Sequence, residues 1–155
     1  MNQYYYWLIP DEPHRTQLQG IIHRFSKVYQ SPIFTPHITV GTGTSIPAIT
    51  SLSAPKVQFT SVHSEHTYFR SLYFKCALSQ DMLSIWEFFG GKEPFVPHLS
   101  LIYGDFSQAR ERDWCSNTPL YEHLISCSSI WIIQGSRRVQ DWKKVESFSL
   151  ETHSI

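Results

Sequence analysis

Phe34-Thr35-Pro36-His37-Ile38-Thr39-Val40 and Phe95-Val96-Pro97-His98-Leu99-Ser100-Leu101 are two copies of one pattern: an aromatic, one residue, a proline, then His-apolar-hydroxyl-apolar. Successive side chains of a strand point to opposite faces. In each copy the imidazole and the hydroxyl two residues on therefore share one face, while Ile38 and Val40, or Leu99 and Leu101, take the other. The proline ahead of each histidine fits the first residues of a strand, where its missing N–H breaks no ladder bond. Each histidine is thus expected near the start of its strand. One such stretch alone would read as an ordinary half-exposed strand, since short motifs match by chance. Two of them, at comparable places in the two halves of the chain, point to a duplicated unit. It would bring His37, Thr39, His98 and Ser100 to one cleft as an acid-base constellation.

The chain around them has 155 residues, which fits a single domain over 1–155. Lys+Arg and Asp+Glu number 13 each, so there is no broad basic footprint for long nucleic acid, and a small anionic ligand in a local pocket is the natural partner. Cys76, Cys115 and Cys127 have no CxxC spacing, and an odd number argues against a complete disulfide framework. The start carries no charged segment followed by an apolar core, and nowhere is there an apolar run of about 18 residues. The expectation is a soluble cytoplasmic protein without a membrane partner.

In chain order, Tyr4 to Ile9 is aromatic and β-favouring and reads as a buried strand, stopped by the turn Pro10-Asp11-Glu12-Pro13. Leu18, Ile21, Ile22, Phe25, Val28 and Tyr29 follow the spacing of one helical face over 15–29. Gly41-Thr42-Gly43-Thr44 lacks the rest of a phosphate-loop fingerprint and reads as a strand end and turn. A short helix is expected over Ile46–Ser53 with Pro47 in its first turn, then paired strands over Val57–Val62 and Thr67–Leu78. His63 and His66 between those strands match no zinc pattern and read as a turn. Met82, Leu83, Trp86 and Phe89 predict a second amphipathic helix over Ser79–Phe89, ended by Gly90-Gly91. After the second histidine strand, Ser107–Asn117 reads as a short exposed helix, and Ile125–Gln134 and Trp142–Leu150 as a final strand pair around the loop Gly135–Asp141. His14, His23, His123 and His153 belong to no constellation and read as surface or helix residues. The fold class is α+β, with antiparallel sheets and helices outside.

The two motifs, Pro36-His37-Ile38-Thr39-Val40 and Pro97-His98-Leu99-Ser100-Leu101, resemble the signatures of the 2H phosphoesterase superfamily. Trp7-Leu8-Ile9-Pro10-Asp11-Glu12, Tyr73-Phe74-Lys75-Cys76 and the run Pro94 to Tyr103 are similar to its cyclic nucleotide phosphodiesterase branch, and the resemblance spans most of the chain. It implies a two-lobed, pseudo-symmetric fold with a central cleft between the lobes. It also implies hydrolysis of 2',3'-cyclic nucleotides to the 2'-phosphate, or of ADP-ribose 1'',2''-cyclic phosphate to the 1''-phosphate. His98 would activate water and His37 would protonate the leaving oxygen, with Tyr103 a phosphate or ribose contact. Strand alternation opposes Tyr103, whose odd offset from His98 puts it on the other face unless the strand bends or ends. The segment between Gly41 and Val57, and the region before Pro94, are shorter than in plant relatives, so a more open cleft is expected.

The chemistry stands independently of the resemblance. An imidazole titrates at about 6.5, so one histidine can hold a proton while its partner lacks one. In-line hydrolysis of a phosphodiester needs both states, a base for the incoming water and an acid for the departing oxygen. Thr39 and Ser100 would donate to the non-bridging oxygens. This scheme requires no metal or other cofactor. The alternatives are a phosphoesterase acting on RNA ends or cyclic oligonucleotides, for which Arg70, Arg137 and Arg138 are the basic candidates, or a non-catalytic protein that binds phosphate ends. Tyr73, Phe74, Phe34 or Phe95 could stack on a base, although core packing is the default for aromatics in this chain.

Overall fold

Tyr4–Ile9 forms β1, the strand on which the first half is built, and its last four residues are buried. The computed structural model describes residues 2–92 and 94–152. Helix α1, His14–Tyr29, follows the Pro10–Pro13 turn and buries Leu18 and Ile22, two of the predicted face residues. It ends at Gln30, whose left-handed conformation lets its N–H reach the Ser26 carbonyl. The first motif then enters β2, Ile38–Gly43. The second half repeats this order. Strand β5, Leu72–Cys76, leads to α2, Gln80–Phe88, capped by the Ser79 side chain on the Met82 N–H, and the second motif enters β6, His98–Ile102. His37 stands one residue before its strand and His98 opens its own, as the prolines predict.

The remaining strands are β3 (Lys56–Val57), β4 (Phe59–His63), β7 (Ile125–Ser126), β8 (Ser129–Gln134) and β9 (Lys143–Ser149). Seven strands form one antiparallel sheet in the order β4-β5-β6-β2-β1-β8-β9, and β3 pairs with β7 in a second, two-stranded sheet. The two halves of the large sheet meet where the motif strands pair, with Ile38 opposite Leu99. Both of these side chains are buried in the main core. The helices cross this seam: α1 of the first half packs on β6 of the second, and α2 packs on β2 of the first. Gly41 permits the latter contact, since a Cβ there would lie 2.7 Å from that of Phe89, which stacks on Tyr6 with ring centroids 4.4 Å apart. The apolar residues after each histidine thus hold the halves together and fix the orientation of the motifs.

The structure corrects several local expectations. Residues 46–53 form no helix; Leu52 to Ala54 instead hydrogen-bonds with Glu151, and Ser53 bridges to it. Ile46, Ile49 and Thr50 are β-branched, and Thr and Ser compete for their own backbone, so this long-range pairing outweighs a weak helical preference. The expected strand over 67–78 begins instead as a 3₁₀ turn at Tyr68–Arg70, and the strands expected over 57–62 and 125–134 are each split by the small β3–β7 sheet. Helix α3, Gln108–Asn117, has Ser107 as N-cap but is not wholly exposed, because Glu111 and Trp114 are buried. His153 lies outside the described residues. No helix among the described residues is long and apolar enough to cross a membrane.

Candidate active site

The register of β2 against β6 determines the site. With Ile38 opposite Leu99, carrying the pairing one residue each way puts His37 opposite Ser100 and Thr39 opposite His98. All four then share the face opposite the core, where directly paired Cβ atoms lie about 5 Å apart. These four residues and Tyr103, the five expected catalytic and phosphate-binding residues, line one cavity of about 150 Å³.

The two histidines are held in the same way. His37 Nδ1 lies 2.7 Å from the Thr35 carbonyl, and His98 Nδ1 lies 3.1 Å from the Val96 carbonyl, each two residues upstream. A carbonyl only accepts, so Nδ1 carries the proton of the neutral ring, leaving Nε2 free for acid-base work. The aromatic supports also correspond. Trp7 lies opposite Thr39 and stacks on His37 at 3.5 Å and 9°, while Tyr73 lies opposite Ser100 and meets His98 edge-on at 5.1 Å.

The environments differ. His37 is 4% exposed, with Trp7 on its face and the Phe34 ring tilted against it. Burial pushes its pKa down from 6.5 to about 3; the Thr35 hydrogen bond opposes this, and a charge on His98 adds to it. Desolvation favours the neutral form, and two cations in one cleft repel. His98 is only partly buried, and its pKa is also lowered, first by burial and further by Arg70, against the Val96 hydrogen bond and Glu65, which raise it. Glu65 accepts from the Tyr73 hydroxyl at 3.0 Å and pairs with Arg70 at 3.4 Å, so carboxylate and guanidinium both stand near His98.

Tyr103 enters the cleft because the strand stops. β6 ends at Ile102, and Gly104, at φ +152°, turns the chain with its N–H on the Tyr68 carbonyl at 2.9 Å. The Tyr103 ring stacks on Phe34 at 4.0 Å and its hydroxyl reaches His37 Nε2 at 3.3 Å. Burial raises the phenol's pKa, so it stays protonated and donates to that nitrogen. The Ser100 hydroxyl donates to the Phe69 carbonyl at 3.0 Å, whereas Thr39 has no side-chain partner among the described residues.

The sequence reading missed the aromatic wall. Tyr5, Trp7, Phe69 and Trp142 line the cavity together with Thr42. Trp142 meets Trp7 at 5.4 Å, Tyr103 at 5.8 Å and Phe69 at 6.0 Å, and its indole N–H donates to the Ser136 carbonyl. The parity of β1 against the first motif was a signal for Trp7; Phe69 and Trp142 arrive from turns and had none. Of the proposed stacking residues, Phe74, Tyr73 and Phe34 are buried, and Phe95 stacks on Trp86 beside the cleft. His63 contacts Ser61 at 2.7 Å and His66 contacts Glu111 at 3.4 Å, both outside the cavity. His14 meets the Tyr121 hydroxyl at 2.7 Å, and His23 and His123 are exposed.

No protein-family model matches the sequence, and no curated protein does. Solved structures do. TT0787 of Thermus thermophilus superposes with a TM-score of 0.65 at 13% identity, over 98% of this chain and 100% of that one. Escherichia coli LigT complexed with 3'-AMP gives 0.63 at 8% identity over 96% and 98%. A further phosphoesterase gives 0.58 at 8% identity over 97% and 99%. The chain has the fold of these proteins, and the fold-level resemblance expected from the two histidine motifs holds.

Proposed function

We propose that this chain is a phosphoesterase of the 2H type that opens the 2',3'-cyclic phosphate of a nucleoside to the 2'-phosphate, with ADP-ribose 1'',2''-cyclic phosphate as the analogous second substrate. The observation that carries the proposal is one cavity lined by two imidazoles, each fixed by a carbonyl at Nδ1, together with the hydroxyl residues Thr39 and Ser100 of their two strands. The LigT complex with 3'-AMP supports a nucleotide ligand.

In this reading the phosphoryl group lies between the histidines, and Thr39 and Ser100 donate to its non-bridging oxygens as charge builds on them. Ser100 must first turn its proton from the Phe69 carbonyl; Thr39 is already free to donate. The division of labour follows from the surroundings. A base must be neutral and an acid must hold its proton. His37, enclosed by apolar rings, is the base that takes a proton from water once the Tyr103 hydroxyl gives up its place at Nε2; burial lowers the pKa of both rings, but His98 is the less buried and so the one that more readily holds a proton, and it is the acid that protonates the leaving 3'-oxygen. This reverses the roles implied by the resemblance. The acid-base pair and hydroxyl donors supply the chemistry from the chain's own side chains, so the reaction needs no metal.

Phosphorus NMR of adenosine 2',3'-cyclic phosphate incubated with the protein in excess chelator tests the proposal. The expected product is the 2'-phosphate alone. An unchanged substrate signal with folded protein refutes it, as does turnover abolished by the chelator and restored by a metal.

A further inference from the structure

The catalytic cavity opens into a larger one. A groove of about 610 Å³ shares Thr39, Thr42 and His98 with it and runs to Arg70, Trp86, Lys92 and Phe95. At about 150 Å³ the catalytic cavity is too small to hold a second nucleotide as well. The rest must leave through an opening, and this groove begins at the acid and at the free hydroxyl donor.

Its chemistry is that of a phosphate and a base. The whole chain has balanced charge, 13 cationic and 13 acidic side chains, and the described lining of this groove carries two of the cations, Arg70 and Lys92. Arg70 pairs with Glu65 through Nη1 at 3.4 Å, and its side chain is 44% exposed. Lys92 is exposed, with no ion-pair partner among the described residues. Beside them Phe95 stacks on Trp86 at 4.5 Å and 1°, and Gly91 packs so closely on that indole that any Cβ would overlap it. The result is a rigid aromatic platform next to two cations, the combination that holds single-stranded nucleotides. Arg137 and Arg138, the other basic candidates, lie in the loop after β8 and do not line the groove.

Resting on the phosphoesterase reading above, we propose that this groove is the subsite for a second, phosphoryl-linked nucleotide of the substrate. Arg70 and Lys92 meet its phosphate and Phe95 stacks on its base, which makes these residues determinants of specificity for substrates longer than a cyclic mononucleotide. A phosphodiester of an oligonucleotide and the pyrophosphate of ADP-ribose share this chemistry.

The test compares kcat/KM for adenosine 2',3'-cyclic phosphate, for a dinucleotide ending in the same cyclic phosphate, and for ADP-ribose 1'',2''-cyclic phosphate. Each is measured with the wild type, Phe95→Ala and the double variant Arg70→Gln/Lys92→Gln. Taking the ratio of two substrates within one protein cancels any change that loss of Arg70 causes at His98. The wild type should prefer at least one extended substrate by about tenfold, as one charge-assisted hydrogen bond to phosphate supplies. The double variant should bring the ratio to about one, and rising salt should erode it. The better extended substrate identifies the linkage recognised. Equal rates in the wild type, or a preference that survives in the double variant, overturn the subsite. Binding of the corresponding opened products, the 2'-phosphates and ADP-ribose 1''-phosphate, followed by tryptophan fluorescence, gives the same ratio without turnover. Preference in binding with no hydrolysis of any substrate sinks the enzymatic reading and leaves the subsite standing; equal binding sinks the subsite alone.

Discussion

Acid should destabilise this protein through His37. The ring is 4% exposed and its pKa is pushed from 6.5 to about 3, so the folded state resists a proton that the unfolded chain accepts. A histidine depressed in this way contributes its full stability above the unfolded pKa and loses it as pH falls through 6.5 toward 3. Linkage between those two values gives a loss of about 2 kcal/mol between pH 8 and pH 5, and about 3 kcal/mol by pH 4. Against a total stability of about 5–15 kcal/mol that is a large fraction. His37→Asn is the perturbation, because its amide N–H can still donate to the Thr35 carbonyl and does not titrate. His98 also moves toward instability in acid, but it is present in both proteins. Urea unfolding at pH 8, 6 and 5 should show the wild type losing about 2 kcal/mol more than the variant over that range, at equal m-values. Parallel losses in the two proteins would refute the claim that His37 is held neutral by burial.

Three further variants concern the catalytic side chains. In His98→Ala, kcat/KM should fall about 10²- to 10⁴-fold; the residual rate should stay level from pH 5 to 8, the basic limb having left with the acid. A residual rate that drops as pH rises over that range would make His37 the acid instead. Thr39→Val should lower kcat by about 10²- to 10³-fold with the melting temperature nearly unchanged, since the hydroxyl has no side-chain partner among the described residues. Ser100→Ala, in contrast, should also cost about 1 kcal/mol of stability, because it removes the hydrogen bond to the Phe69 carbonyl. Thermal melts alongside steady-state rates separate the two hydroxyls.

The local signals that were readable in the sequence are those that act at short range. Leu18 and Ile22 mark the buried stripe of α1, Ser79 and Gly90 bracket α2, and the alternation of each motif puts histidine and hydroxyl on one face. The duplication was legible because each half needs its own strand-helix-strand unit to present one motif. What the alternation did not contain was the seam itself. That Ile38 lies opposite Leu99, and that α1 and α2 exchange sides across it, depends on tertiary packing. Tyr103 shows the limit most clearly: the period-two rule excludes it, and the turn at Gly104 brings it back. Trp142 and Phe69 reach the cleft from irregular segments whose conformation follows from distant partners, the Ser136 carbonyl for one and the turn beside Gly104 for the other. The β-branched stretch 46–53 is another case where weak local preference yields to pairing with residues near the other end of the chain.

If the phosphoesterase reading holds, the two imidazoles in the cleft act as a unit, one as base and one as acid. Single-turnover rates on adenosine 2',3'-cyclic phosphate for the wild type, His37→Ala, His98→Ala and the double variant test it most directly. Each single variant should lose about 10²- to 10⁴-fold, and the double variant should lose little more than the worse single, because either half alone leaves the proton transfer incomplete. Losses that multiply, or either single variant turning over at the wild-type rate, would contradict it.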